Sequence, residues 1–159
     1  MMGICTWLAK LAKGSQAAVL KKEAEEDDNI YIGLKSETGR LPTEYTDLPY
    51  ENNPLYELIE DIAKYCKKEF DKMIMITMIY RTQEEQESIY GEGYTKKSPH
   101  QFWHGVDLRS RDFTEEEIKQ LVDYINEKYN ETNYYKFTAK CHEVGNHGMH
   151  FHIQYLKDK

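Results

Sequence analysis

Ser98-Pro99-His100-Gln101-Phe102-Trp103-His104-Gly105-Val106-Asp107 and, later in the chain, His150-Phe151-His152 decide how this sequence is read. All six histidines fall between positions 100 and 152. Imidazoles and carboxylates are metal-ligating groups, and these two runs concentrate them. Side chains alternate faces along a strand, so His150 and His152 share a face if residues 149–155 are extended. Gly105-Val106-Asp107-Leu108-Arg109 reads as another brief strand. A catalytic zinc keeps three protein ligands and an open fourth position. His100, Asp107 and one histidine of the later pair would supply such a set, with the other imidazole left to move protons. Each residue also has a plainer reading. A His-x-His on a strand is often a surface feature, and Asp107 could pair with Arg109 or Arg111. His104 and His147 sit at other phases or in a turn and read as scaffold or surface. His142 reads as a cleft-lining residue at best.

Working outward, Asn53 and Pro54 open a helix whose Leu55, Leu58, Ile59, Ile62, Tyr65 and Cys66 recur on one face as far as about Phe70. Met73 to Tyr80 is a continuous apolar run, read as a strand buried on both faces with its methionines filling core. Thr82-Gln83-Glu84-Glu85 and Thr114-Glu115-Glu116-Glu117 are capping-box patterns, each starting a helix. The first stops at Gly91 and Gly93; the second buries Ile118, Leu121, Val122 and Ile125. Residues 136–144, a turn at Gly145-Asn146-His147-Gly148 and Met149 to Tyr155 read as a hairpin. The fold class is α+β, a small antiparallel sheet with flanking helices. The compact domain spans 53–159. Residues 1–52 form an N-terminal arm: weakly helical over 4–22, an acidic linker at Glu23-Ala24-Glu25-Glu26-Asp27-Asp28, then mostly extended chain.

The chain has 159 residues, 40% hydrophobic and 31% charged, with a net charge of -7 and a pI near 5.4. That balance argues against a nucleic-acid binder working by phosphate neutralisation and against a polybasic membrane-surface protein. Cys5, Cys66 and Cys141 form no CxxC pair, so they read as free thiols, with Cys66 and Cys141 packed as small hydrophobes. No apolar run reaches the ~20 residues of a membrane-spanning helix. Lys10 and Lys13 interrupt what would be the apolar part of a signal peptide. The expectation is a cytoplasmic monomer at synthesis, without stable membrane insertion.

Ser98-x-His100, Asp107 and the late His150-x-His152 together resemble the zinc D-Ala-D-Ala carboxypeptidase and endolysin family, peptidase family M15. That family belongs to a wider group with lysostaphin-type peptidases and the hedgehog signalling domain. Its Ser-x-His-x-x-Gly-x-Ala-x-Asp pattern is matched at Ser98, His100 and Asp107; Trp103 replaces the glycine and Gly105 the alanine. Tyr80-Arg81-Thr82 with Glu85-Gln86 resembles its Tyr-Arg-Ser and Gln segment. The resemblance covers residues 54–155 and implies a hedgehog or D-Ala-D-Ala-peptidase-like fold. It implies one Zn2+ held by His100, Asp107 and His152, and His150 as general base. Arg81 would anchor an oxyanion or substrate carboxylate, and Ser98 would orient the His100 segment. Many members carry a carboxylate three residues before the last zinc histidine, a position Met149 fills here; Glu143 is the alternative base. The implied activity is cleavage of peptidoglycan stem peptides, by an endopeptidase or a D,D-carboxypeptidase, in a phage or bacterial enzyme freed by a lysis partner. The rival expectation is a non-catalytic metal-binding, cell-wall-binding or phage structural domain that kept the fold.

Overall fold

Asn52 links the helical and strand parts of the chain. In the computed structural model, which describes residues 32–35, 39–145 and 148–158, its side-chain oxygen accepts the Leu55 N–H at 3.2 Å. Its side-chain nitrogen donates to the carbonyls of Trp103 and Tyr155 at 3.1 and 2.9 Å. The cap is therefore Asn52, one residue before the expected Asn53. The arm elements expected over 4–28, Cys5 and the turn residues Asn146 and His147 lie outside the described residues.

The strands are β1 (Ile32–Leu34), β2 (Ile74–Met78), β3 (Gly105–Arg109), β4 (Ala139–Glu143) and β5 (Met149–Gln154). The helices are α1 (Leu41–Glu51), α2 (Asn53–Phe70), α3 (Gln83–Tyr90) and α4 (Glu115–Tyr129). The class is α+β, but the sheet is mixed rather than antiparallel. Its order is β1-β2-β3-β5-β4, with β1 parallel to β2 and the other pairs antiparallel. Residues 41–51, expected as extended chain, are helical, and Leu41 and Leu48 join the same buried cluster as α2. All described residues fall in one compact unit, which includes β1 and α1.

Period-2 alternation sorts the sheet into two faces. Ile74, Ile76, Val106, Leu108, Phe151 and Ile153 pack into the core with Leu55, Leu58, Ile59 and Ile62 of α2 and Leu121 and Ile125 of α4. The opposite face carries Asp107, His142, His150 and His152. β2 is therefore buried on one face, not two. Its isoleucines face the core while Met75 and Met78 are half-buried, and Met73 just before it is exposed. Between β2 and β3 the register slips: Ile76 pairs with Leu108, but Met78 pairs with Asp107. A bulge of this kind re-aims side chains, and here it lies directly beside Asp107.

Both expected capping boxes form. Thr82 and Glu85 exchange side-chain and backbone bonds at the start of α3, as do Thr114 and Glu117 at the start of α4. Asn126 of α4 holds the start of β4. Its amide donates to the Ala139 carbonyl at 2.9 Å and accepts from the Ala139 and Thr138 N–H groups at 2.9 and 3.0 Å. Cys66 is buried and Cys141 packs partly buried against the core. Burial pushes the Cys66 thiol up to about 12, which keeps it protonated and inert.

Candidate metal centre

Three ligand atoms converge on the polar face of the sheet. His100 Nε2 lies 3.1 Å from Asp107 Oδ1, Asp107 Oδ1 lies 2.9 Å from His152 Nδ1, and the two imidazole nitrogens are 3.3 Å apart. His100 comes from a 3-10 turn, Pro99–Phe102, Asp107 from β3 and His152 from β5. Asp107 and His152 are direct partners in the β3–β5 register, so the ladder itself brings them together. Ser98 opens the 3-10 turn: its hydroxyl accepts the His100 N–H, and Gln101 Oε1 accepts the Ser98 N–H. That box caps the turn that carries His100.

The outer nitrogens fix which way each imidazole offers its lone pair. His100 Nδ1 is 2.8 Å from the Ile79 carbonyl, which only accepts, so Nδ1 carries a proton and, in the neutral ring, Nε2 offers its lone pair to the triad. Gln154 donates its amide N–H to the Phe137 carbonyl at 3.1 Å, which leaves Gln154 Oε1 to accept from His152 Nε2 at 3.2 Å. His152 Nδ1 therefore also faces the triad with its lone pair. Hydrogen bonds of this kind orient metal-binding histidines.

With both rings neutral, two imidazole lone pairs and a carboxylate oxygen face one another, an arrangement that repels until a proton or a metal ion sits among them. A tetrahedral zinc with bonds of about 2.0–2.1 Å sets its ligand atoms about 3.3 Å apart, close to the edges of this triangle. His100, Asp107 and His152 form a triad able to hold a metal ion. Burial alone would raise the Asp107 carboxyl, but with a proton rather than a metal between the groups, attraction to His100 and hydrogen bonds from His100 and His152 outweigh it and hold it well below the usual carboxylate range. The group is anionic and ready to bind a cation.

Arg81 and His150 flank the triad. The Arg81 guanidinium is 3.7 Å from Asp107 Oδ2 and donates to Gln86 Oε1 at 3.1 Å. Its backbone N–H donates to the His100 carbonyl at 3.3 Å, which ties the arginine segment to the ligand turn. His150 donates from Nδ1 to the Gly148 carbonyl at 3.0 Å, so in the neutral ring the lone pair lies on Nε2. That nitrogen is 3.9 Å from Asp107 Oδ2, too far to bond it, and is left to accept a proton.

Glu143 does not join the site. It pairs with Met149 in the β4–β5 register and shares its face with Ala139 and Cys141, away from His142 and His150. His104 is half-buried, with Nδ1 2.9 Å from the Tyr135 hydroxyl, and belongs to the scaffold. Gln154 was not expected. Its signal is the extension of His150-x-His152 by another period of two. The Ile79 carbonyl has no sequence signal, because every residue carries one. No family model matches the chain, and neither the curated proteins nor the solved structures contain a match.

Proposed function

We propose that this protein is a zinc-dependent peptidase that cleaves the stem peptides of bacterial peptidoglycan, as an endolysin-type endopeptidase or a D,D-carboxypeptidase. The observation that carries this reading is the triad of two imidazole nitrogens and a carboxylate oxygen, with an unbonded imidazole nitrogen, His150 Nε2, and a buried guanidinium, Arg81, at its side. The Ser98-x-His100, Asp107, His150-x-His152 order and its resemblance to family M15 point the same way. Zinc bound there supplies a water nucleophile at neutral pH and polarises a carbonyl.

The chain's own residues supply the rest. His100, Asp107 and His152 would hold the ion, with Ile79 and Gln154 fixing the two imidazoles. His150 takes a proton from the attacking water at Nε2 and returns it to the leaving amine. The oxygen of that water joins the carbonyl carbon, the C–N bond breaks, and a carboxylate and an amine leave. Arg81 sits where negative charge gathers, beside Asp107, and the bond to Gln86 holds it in place.

A rival reading is a metal-binding or wall-binding domain, or a phage structural domain, without turnover. It draws on one observation: the alternative carboxylate base, Glu143, stands on the other face of the sheet. Mass spectrometry of muropeptides after digestion, with and without chelator, separates the two. New termini that vanish with chelator support the peptidase and name the bond. Stoichiometric zinc without any cleavage would favour the binding domain.

A further inference from the structure

Among the described residues, three buried side-chain nitrogens lack a hydrogen-bond partner: Arg40 Nε, Arg81 Nε and His142 Nε2. Arg40 Nε lies 3.2 Å from a carboxylate oxygen of Glu44, so charge compensates it. The other two flank the triad. A buried polar atom without a partner is costly, so each calls for an explanation. Arg81 already has one in the proposed function; His142 does not.

His142 stands on β4 directly opposite His150 in the register. Its ring centroid is 5.1 Å from that of His150 and 5.9 Å from that of His152. The strand order β2-β3-β5-β4 lays the site out across the sheet. Arg81 follows β2, Asp107 is on β3, His150 and His152 are on β5, and His142 is on β4. A peptide carbonyl over the triad therefore has the guanidinium on one flank and His142 on the other. The ligand atoms that lie within 4.8 Å of one another are those of His100, Asp107 and His152, with His142 beside them.

Resting on the peptidase reading, we propose that His142 is a catalytic residue that donates an N–H, from Nε2, to the carbonyl oxygen of the scissile bond as it becomes an oxyanion. Arg81 is then free to anchor a substrate carboxylate. As water adds, the C=O electron pair moves onto that oxygen and His142 stabilises it there. When the C=O bond re-forms, the C–N bond breaks and His150 protonates the amine. His142 neither gains nor loses a proton.

The test compares the zinc-loaded wild type with His142→Leu and His142→Gln. The measurements are zinc content, kcat and KM on muropeptides, affinity for phosphinate analogues of D-Ala-D-Ala and L-Ala-D-Glu, and the imidazole nitrogen resonances of His142 on phosphinate binding. Both variants should keep full zinc. His142→Leu should lower kcat on the order of a hundredfold with KM changed less than about twofold, weaken phosphinate binding in parallel, and His142→Gln should recover roughly tenfold. In the wild type the His142 resonances should shift when phosphinate binds. Unchanged kcat and phosphinate affinity in His142→Leu overturn this role, as does a glutamine variant no better than leucine, which would mean packing alone. Zinc loss in either variant overturns it in favour of metal support. A wild type that neither turns over substrate nor binds phosphinate overturns the peptidase reading and this role together. Wild-type turnover beside an unaffected leucine variant overturns this role alone.

Discussion

Trp103 closes the 3-10 turn with φ 60° and ψ 25°, a left-handed conformation. Its cost for a residue with a Cβ is about 1–2 kcal/mol, which explains why the pattern it resembles has glycine there. Stacking on Tyr80, with ring centroids 5.0 Å apart, offsets part of that cost. Gly105 departs from the same pattern in the opposite direction. A Cβ there would sit 3.2 Å from the backbone N, Cε1 and Nδ1 of His100, and the ring is pinned by the Ile79 carbonyl. Gly105→Ala should therefore loosen zinc by about tenfold, measured by competition with a chromophoric chelator. Wild-type affinity would mean that the ring yields freely. His100→Ala and Asp107→Ala should each abolish stoichiometric zinc by metal analysis. His152→Ala should also lose metal, whereas His150→Ala should keep it and lose turnover. The reverse result would exchange the roles of the pair.

At the scale of elements, α2 and α4 meet through Asp61, which accepts hydrogen bonds from Lys128 Nζ, Tyr124 Oη and Tyr129 Oη at 2.8, 2.8 and 2.9 Å. Burial raises the Asp61 carboxyl, but these three donors outweigh it and hold it below its ordinary value. A carboxyl depressed on folding adds stability that is present above its unfolded pKa, near ~3.9, and lost as pH falls through the folded value. Asp61→Asn should destabilise the protein by about 1–2 kcal/mol at neutral pH, and the gap should close in strong acid, as read by urea unfolding at both. A gap independent of pH would assign the effect to shape rather than charge. The helices after Thr82 and Thr114 were legible because a capping box is written within four residues of sequence. α1 was not, because Pro42 and Pro49 read as breakers. Pro42 lies in the first turn, where no N–H is needed, and Pro49 in the last, where little helix remains to interrupt. β1 was missed for another reason: three residues paired in parallel with a strand forty positions away leave no local pattern. In the site, His150-x-His152 was legible from its period of two. Glu143 was misplaced by one step of that same period.

For the whole molecule, a metal bound only by the folded state adds stability by mass action, about 2.7 kcal/mol at a hundred times the dissociation constant. Chelation should lower the melting temperature by roughly 5–15 °C in a chain of this size, and His100→Ala should be insensitive to it. A wild type that melts identically with and without chelator would remove the ion from the fold. No helix among the described residues is long and apolar enough to cross a membrane. How the molecule behaves at high concentration depends on a side chain far from the metal. β4 is an outer strand, and the outer rim of such a strand is a template on which another chain can lay its backbone. The Asn126 amide gives Ala139 one donor and one acceptor, as an incoming strand would, and so fills that place from within the molecule. Asn126→Ala should then scatter light increasingly with protein concentration when each protein is held equally far below its own melting temperature. Equal scattering would show that the rim was never open to a neighbour.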